Sequence, residues 1–235
     1  MIEITKTEVV GWEHAIRGMR NPMNSWERSD SVKEIPDDTL HCDNLRDGQR
    51  SVIFPGGDKE YIEVGGGYFV GPNDLDLMKR LAANGSVHAK YRRMIVVYTD
   101  ILAPLYWWKE FDTYKVGTVA NSGSTMHKIH AKEFTVDDFS REHLNERSRY
   151  VLDNVIYALN SNRKKFVETW NKDDWWQLIQ LLPSSYNQLR TVMLNYEVLT
   201  NIYANRKNHK LDEWREFCEW IENLPYSELI TGVKA

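Results

Sequence analysis

PLYWWKEFDTYKVGTVANSGSTMH, residues 104–127, changes character halfway along. The first half is apolar and aromatic, and Pro104 suits the first turn of a helix, so a helix is predicted from Pro104 toward Val116. The second half dissolves into Thr118, Asn121, Ser122, Gly123 and Ser124, small polar residues that form turns or surround a ligand. By spacing alone, residues 118–125 are a polar turn. The sharper reading is a loop whose Asn121, Ser122, Ser124 and N–H groups near Gly123 hydrogen-bond a phosphate or a base. MHKIHAKEF (126–134) then alternates like a strand.

Working outward, IVVYTDIL (95–102) reads as an apolar strand before this stretch, with SVHAKYRRM (86–94) as a short helix leading into it. GPNDLDLMKRLAANGS (71–86) is a well-signalled helix, capped by Asn73 or Asp74 and closed by Gly85, with Leu75, Met78, Leu81 and Ala82 on one face. From residue 29 to about residue 71 the chain is polar and turn-rich. RSVIF and KEYIEV are expected to pair there as a hairpin. Gly56-Gly57 and Gly65-Gly66-Gly67 lack the GK[ST] and GxGxxG contexts of phosphate loops and read as flexible turns. IEITKTEVV (2–10) alternates as a strand, and GWEHAIRGMRN is a short helix ended by Asn21-Pro22.

Downstream, residues 145–170 carry apolar side chains at helical spacing, and KDDWWQLIQLLP is a further helix stopped by Pro183. QLRTVMLN is extended. Two helices follow, YEVLTNIYANRKNHK and LDEWREFCEWIENLP, the last burying Trp214, Phe217, Cys218 and Ile221. The order is α+β and helix-rich.

The 235 residues suffice for one domain with a sizeable core, and 42% hydrophobic with 27% charged residues is ordinary for a globular chain. A formal charge of −4 argues against a general DNA or RNA partner. Cys42 and Cys218 form no CxxC pair and signal neither a disulfide framework nor zinc. No apolar leader or run of about 18 apolar residues is present, so the expectation is a cytoplasmic protein without a membrane partner. Nine tryptophans and twelve tyrosines imply large aromatic contacts in the core, at a subunit interface, or around a planar ligand.

GSVHAKYRRM, the 104–127 stretch and LLPSSYNQLRTVMLNYEVLTNIYANR (181–206) occur in an order and at intervals that carry a resemblance. Together they resemble the flavin-dependent thymidylate synthases. That family has a His-x-Ser helix, then a strand and helix entering the signature Arg-His-Arg-x-x-Ser-x-Asn-x-x-Ser-x-Arg-Tyr. A Leu-Pro, a strand and Asn-x-Arg-Ser-Leu-x-Asn-Phe-x-x-Leu-Arg follow. The C-terminal frame fits without a gap from Asn195 through Leu199 and Asn201 to Arg206, and AIRGMRNPMNS sits where the family has an early Ala-Arg turn.

The resemblance implies a single helix-rich α+β domain over residues 1–235 with a small mixed or antiparallel sheet and a polar insertion at about 29–71. It implies a nucleotide ligand, dUMP-like, and a homotetramer with the site built where subunits meet. It assigns Asn121, Ser124 and Arg206 to the nucleotide, and His88, Asn195 and Asn201 to FAD; Ser122, from the loop reading, and Lys115, as the cation remaining near that loop, complete the nucleotide set. It further implies flavin-dependent transfer of a one-carbon unit to the pyrimidine, with NADPH and methylene-tetrahydrofolate. The alternative is a non-catalytic protein that binds or sequesters a nucleotide on the same scaffold.

The departures are specific. Tyr114, Lys115 and Val116 stand where Arg-His-Arg should be, and Met126 and His127 replace the closing Arg-Tyr. Ile179 takes the place of one arginine, and Glu197 reverses the charge of another. The lost guanidinium groups would complement phosphate and uracil oxygens.

Each candidate also has a plain structural reading. Arg206, with Lys207, His209 and Lys210, could simply complement a helix dipole. Lys115 could be a surface lysine, and Arg92 and Arg93 read as solvated charges. His127 and His130 would point to opposite faces of the expected strand, which argues against a metal pair. Trp107 and Trp108, like Trp175 and Trp176, diverge by about 100° on a helix, so at least one of each pair belongs to core or interface.

Overall fold

The computed structural model describes residues 1–33, 40–45, 49–53, 60–64 and 67–232. Gly56-Gly57 and Gly65-Gly66 lie outside the described residues. Eight strands and eight helices are defined among those described. They are β1 (Glu3–Val10), α1 (Trp12–Arg20), β2 (Leu40–Leu45), β3 (Gln49–Ile53), β4 (Glu60–Val64), β5 (Tyr68–Val70), α2 (Pro72–Ala83) and β6 (Val96–Pro104). Next come α3 (Leu105–Phe111), β7 (Val119–Ser122), α4 (Glu146–Thr169), α5 (Lys172–Leu181), β8 (Asn187–Asn195), α6 (Tyr196–Arg206), α7 (Asp212–Glu222) and α8 (Glu228–Thr231). The architecture is the helix-rich α+β class. No helix among the described residues is long and apolar enough to cross a membrane.

Two four-stranded sheets are present, in the orders β1-β6-β8-β7 and β2-β3-β4-β5. The second is an antiparallel meander: Ser51 faces Ile62, and Ile62 faces Val70. It contains the RSVIF–KEYIEV hairpin, extended on both sides by strands that the polar composition did not reveal.

The chain divides into two compact units. The first comprises Met1–Thr5, Asp100–Thr113 and Ala120–Thr191; the second comprises Lys6–Thr99, Tyr114–Val119 and Val192–Ala235. In the first, α4 and α5 enclose an apolar core with Ile129, Phe134, Phe139, Leu152, Ile156 and Leu178 buried. Both helices start as local chemistry dictates: Asn145 accepts from Ser148 N–H at 2.9 Å, and Asn171 from Asp173 N–H at 2.9 Å. In the second unit, Trp12, Tyr196, Trp214 and Phe217 are fully buried.

Several local expectations are corrected. Residues 126–134 form turns and bends rather than a strand. Only Ile129 and Phe134 are buried there, and a spacing of five does not follow the two-residue period. The strand lies earlier, at β7, where every residue is exposed. His127 and His130 therefore do not lie on opposite faces of a strand; among the described residues no three potential ligands cluster as a metal site.

Helix α3 stops at Phe111, short of Val116, and residues 90–93 make a 3-10 turn rather than an α-helix. Helix α2 is not capped by its own Asn73 or Asp74. Gly71 precedes it, Pro72 is its first residue, and Asp30 accepts from the N–H groups of Asn73 (2.9 Å) and Asp74 (3.1 Å). That frees Asp74 for a buried network. Its carboxylate accepts from Arg20 Nε at 2.6 Å, Ser29 Oγ at 2.7 Å and Ser31 Oγ at 2.6 Å.

Candidate functional site

The residues that the sequence singles out fall in both units. In the first unit, Asn121 and Ser122 end β7 with exposed side chains. The turn after them is fastened by backbone and carboxamide chemistry. Gly123 N–H donates to the Leu189 carbonyl at 2.8 Å, and Gln188 Nε2 donates to the Gly123 carbonyl at 2.7 Å. Gln188 is itself held, its Oε1 accepting from Arg190 Nε at 3.0 Å. Arg190 lies over the Trp108 ring at 4.2 Å and pairs with Asp112 at 2.8 Å.

Sequence reasoning missed Gln188, because a glutamine in a strand carries no signal until its partner is known. Ser124 turns out to be a turn-former: its Oγ accepts from Met126 N–H (3.2 Å) and His127 N–H (2.8 Å). It also lines a pocket of about 270 Å³ with Gly123, Lys132, Asp138 and Tyr186. Burial pushes the Asp138 carboxyl up, but hydrogen bonds from Lys132 and the Thr135 N–H outweigh it, so the group sits below its ordinary range. Lys132 is raised by the same hydrogen bond, and Tyr186 is raised by burial and by the Asp138 charge.

Trp107 and Trp108 do not offer faces to a ligand. Both are fully buried, and Trp108 donates to the Gln188 carbonyl at 2.9 Å. At the second pair, Trp176 is exposed while Trp175 donates to the Met126 carbonyl at 3.0 Å.

In the second unit, Asn195 caps α6 by accepting from Val198 N–H at 3.0 Å. Asn201 is exposed on the same helix, and His88 is exposed in the turn after α2. Arg206, in the last turn of α6, donates from Nε to Tyr114 Oη at 3.0 Å and lies 4.7 Å over the Trp214 ring. Lys115 and Arg93 are exposed.

Arg92 is not a solvated charge. It is 1% exposed, donating from Nη1 to Thr200 Oγ1 (3.0 Å) and to the Leu229 carbonyl (3.3 Å). Its Nε lies 3.1 Å from Glu197 Oε2 without hydrogen-bond geometry, so charge alone holds that contact. The acidic residue at position 197 thus has a partner that composition could not supply. A cleft of about 690 Å³ elsewhere in this unit is lined by Arg20, Arg28, Arg80, Glu27, Asp30 and Asp76, with opposite charges balanced along its walls.

No family model matches the sequence, and no curated protein matches it. Solved structures do. A flavin-dependent thymidylate synthase ThyX from Helicobacter pylori, complexed with FAD and dUMP, superposes with a TM-score of 0.62 at 16% identity, covering 97% of each chain. A second structure of thymidylate synthase X from that organism, with FAD and dUMP, gives 0.61 at 16% identity over 98% of this chain and 97% of that one. A UMP/dUMP methylase PolB from Streptomyces cacaoi, bound with 5-Br dUMP, gives 0.55 at 10% identity over 99% and 95%. At these identities the likeness is one of architecture. The chain has a thymidylate synthase X-like fold.

Proposed function

We propose that this chain binds a pyrimidine nucleotide of the dUMP type. The observation that carries the reading is the likeness to the H. pylori enzyme with dUMP and FAD along nearly the whole length of both chains. In this reading Arg206 and Lys115 supply positive charge, and Asn121, Ser122 and Ser124 supply neutral hydrogen-bonding groups. A homotetramer belongs to the same proposal. It is supported by the exposed Tyr150 and Tyr157 on α4, aromatic groups of a kind enriched at interfaces.

Flavin-dependent one-carbon transfer, with NADPH and methylene-tetrahydrofolate, is the reaction the resemblance implies. The side chains assigned to FAD do not fit its diphosphate well. Asn195 is engaged as a helix cap, and neither it nor the exposed Asn201 and His88 brings the lysine or arginine charge that a diphosphate calls for. Arg92, which could have offered a cation, is sealed against Glu197 and two protein acceptors. The same observation favours a second reading, a protein that binds or sequesters the nucleotide without turnover.

Calorimetric titration with dUMP tests the nucleotide reading. Saturable binding at micromolar concentration is expected, and the absence of binding sinks it. The visible spectrum separates the two variants. Uptake of added FAD, with absorption at about 450 nm for an oxidised flavin, supports the enzyme. A colourless protein that takes up no FAD supports the sequestering role.

A further inference from the structure

Arg20 closes α1 and is only 4% exposed, yet it borders the cleft of about 690 Å³ in the second unit. Its hydrogen bonds leave from two of its three nitrogens. Nε donates to Asp74 Oδ1 at 2.6 Å, and Nη1 donates to the Ser25 carbonyl at 3.1 Å and to Ser25 Oγ at 3.5 Å. An arginine that served only to neutralise Asp74 would set two parallel N–H donors against both carboxylate oxygens. Here Asp74 Oδ2 is occupied instead by Ser29, Asp30 and Ser31. Nη2 carries no hydrogen bond among the described residues, and it is not one of the polar atoms sealed from solvent without a partner. Two donors of a buried guanidinium therefore open on the cleft. The Asp74 network already fixes that side chain, so an acceptor arriving at Nη2 has little left to order.

The charges on the cleft walls are not equally engaged. Asp30 accepts from the N–H groups of Asn73 and Asp74, and Asp76 is paired with Arg80 at 2.9 Å. Glu27 and Arg28, neighbours on a short 3-10 turn, have no ionic side-chain partner among the described residues. What stays open is a donor side, Arg20 Nη2 with Arg28, and one carboxylate, Glu27, beside the apolar Met23 and Leu77. A phosphate dianion would face three wall carboxylates, with Asp74 behind Arg20. A ligand with one carboxylate and one ammonium group meets an opposite charge at each end.

We propose that this cleft binds a small zwitterion of the α-amino acid type, its carboxylate on Arg20 Nη2 and Arg28 and its ammonium group on Glu27. Met23 and Leu77 favour an apolar side chain on that ligand. The site is independent of the nucleotide reading.

The whole isotope-labelled chain is titrated with L-leucine, with isocaproate, which lacks the ammonium group, with isoamylamine, which lacks the carboxylate, and with inorganic phosphate. The Arg20 Nε–H resonance reports binding at the cleft. Saturable movement with L-leucine at millimolar concentration is expected, with isocaproate weaker and isoamylamine silent. Arg28→Gln and Glu27→Gln alter exposed side chains and leave the fold intact. Arg28→Gln should weaken L-leucine about three- to tenfold, the scale of one charged contact in a partly open site. Glu27→Gln should weaken L-leucine similarly and leave isocaproate unchanged or tighter. No saturable movement with L-leucine overturns the proposal. A stronger response to phosphate than to L-leucine overturns it as well, making the cleft a plain anion site. So does an L-leucine affinity that neither substitution changes.

Discussion

Asp74 shows how much one carboxylate can hold. It is fully buried, it faces an Arg20 that is 4% exposed, and it also accepts from Ser29 and Ser31. Asp74→Ala strands the guanidinium in the core and leaves those donors without their acceptor. The expected loss is about 3–5 kcal/mol of stability, read as a lower urea midpoint. A loss below about 1 kcal/mol would mean that water replaces the carboxylate.

Ser124 and Asn121 should part company under the same kind of test. Ser124→Ala removes an acceptor for two backbone N–H groups and is expected to cost about 0.5–1.5 kcal/mol. Asn121→Ala, on an exposed strand end, should stay within about 0.5 kcal/mol and show its effect only in dUMP titration. If Arg206 meets the nucleotide as proposed, Arg206→Ala should weaken dUMP by about 1.5–3 kcal/mol, whereas the exposed Arg93→Ala should leave it nearly unchanged. Equal affinities would return Arg206 to the role of a packing residue.

Among the elements, legibility followed the range of the forces. Helices α4, α5 and α6 were readable because apolar periodicity is local, while their asparagine caps, each accepting from an N–H two or three residues on, emerged only in the structure. Strand β7 was misplaced for the opposite reason. As the last strand of its sheet with every side chain exposed, it shows no apolar alternation, whereas the segment after it does. Helix α2 was found, but its cap was not, since Asp30 comes from more than forty positions earlier in the chain.

The Gly117 turn makes an element-level prediction. Gly117→Ala places a methyl group 2.8 Å from Asn195 Nδ2 in a left-handed backbone, which is expected to cost about 1–3 kcal/mol. Thermal melting reads the loss, and an unchanged midpoint would show that the turn relaxes freely.

For the whole molecule, buried phenols and a thiol set the alkaline limit. Burial, then the charge of Asp74, pushes Tyr68 up to about 12; burial, then Glu222 and Glu219, pushes Cys218 up to about 12; burial raises Tyr196 well above its ordinary value. The unfolded chain releases these protons from about pH 9–10, while the native one keeps them. Their contribution is therefore complete below about pH 9 and is lost as pH rises toward 12. The urea midpoint should fall between pH 8 and pH 10.5. A flat profile would show that these groups ionise without unfolding.

Sedimentation at micromolar concentration checks the proposed tetramer, and a strict monomer would remove the shared-site model.

By itself the sequence determined the helix-rich α+β class, the helices of the C-terminal half and the hairpin of β3 and β4. Those are properties of composition and of neighbours a few residues apart. Only the tertiary structure decided that Trp107 and Trp108 are both core, that Arg92 and Glu197 form a sealed pair, that Gln188 fastens the turn after β7, and that Arg206 rests on Tyr114 and Trp214. Arg206 and Tyr114 are 92 positions apart, and Arg92 and Thr200 are 108 apart. A charge or a ring has the same symbol in the chain whether it meets solvent or a partner, and packing alone chooses between them.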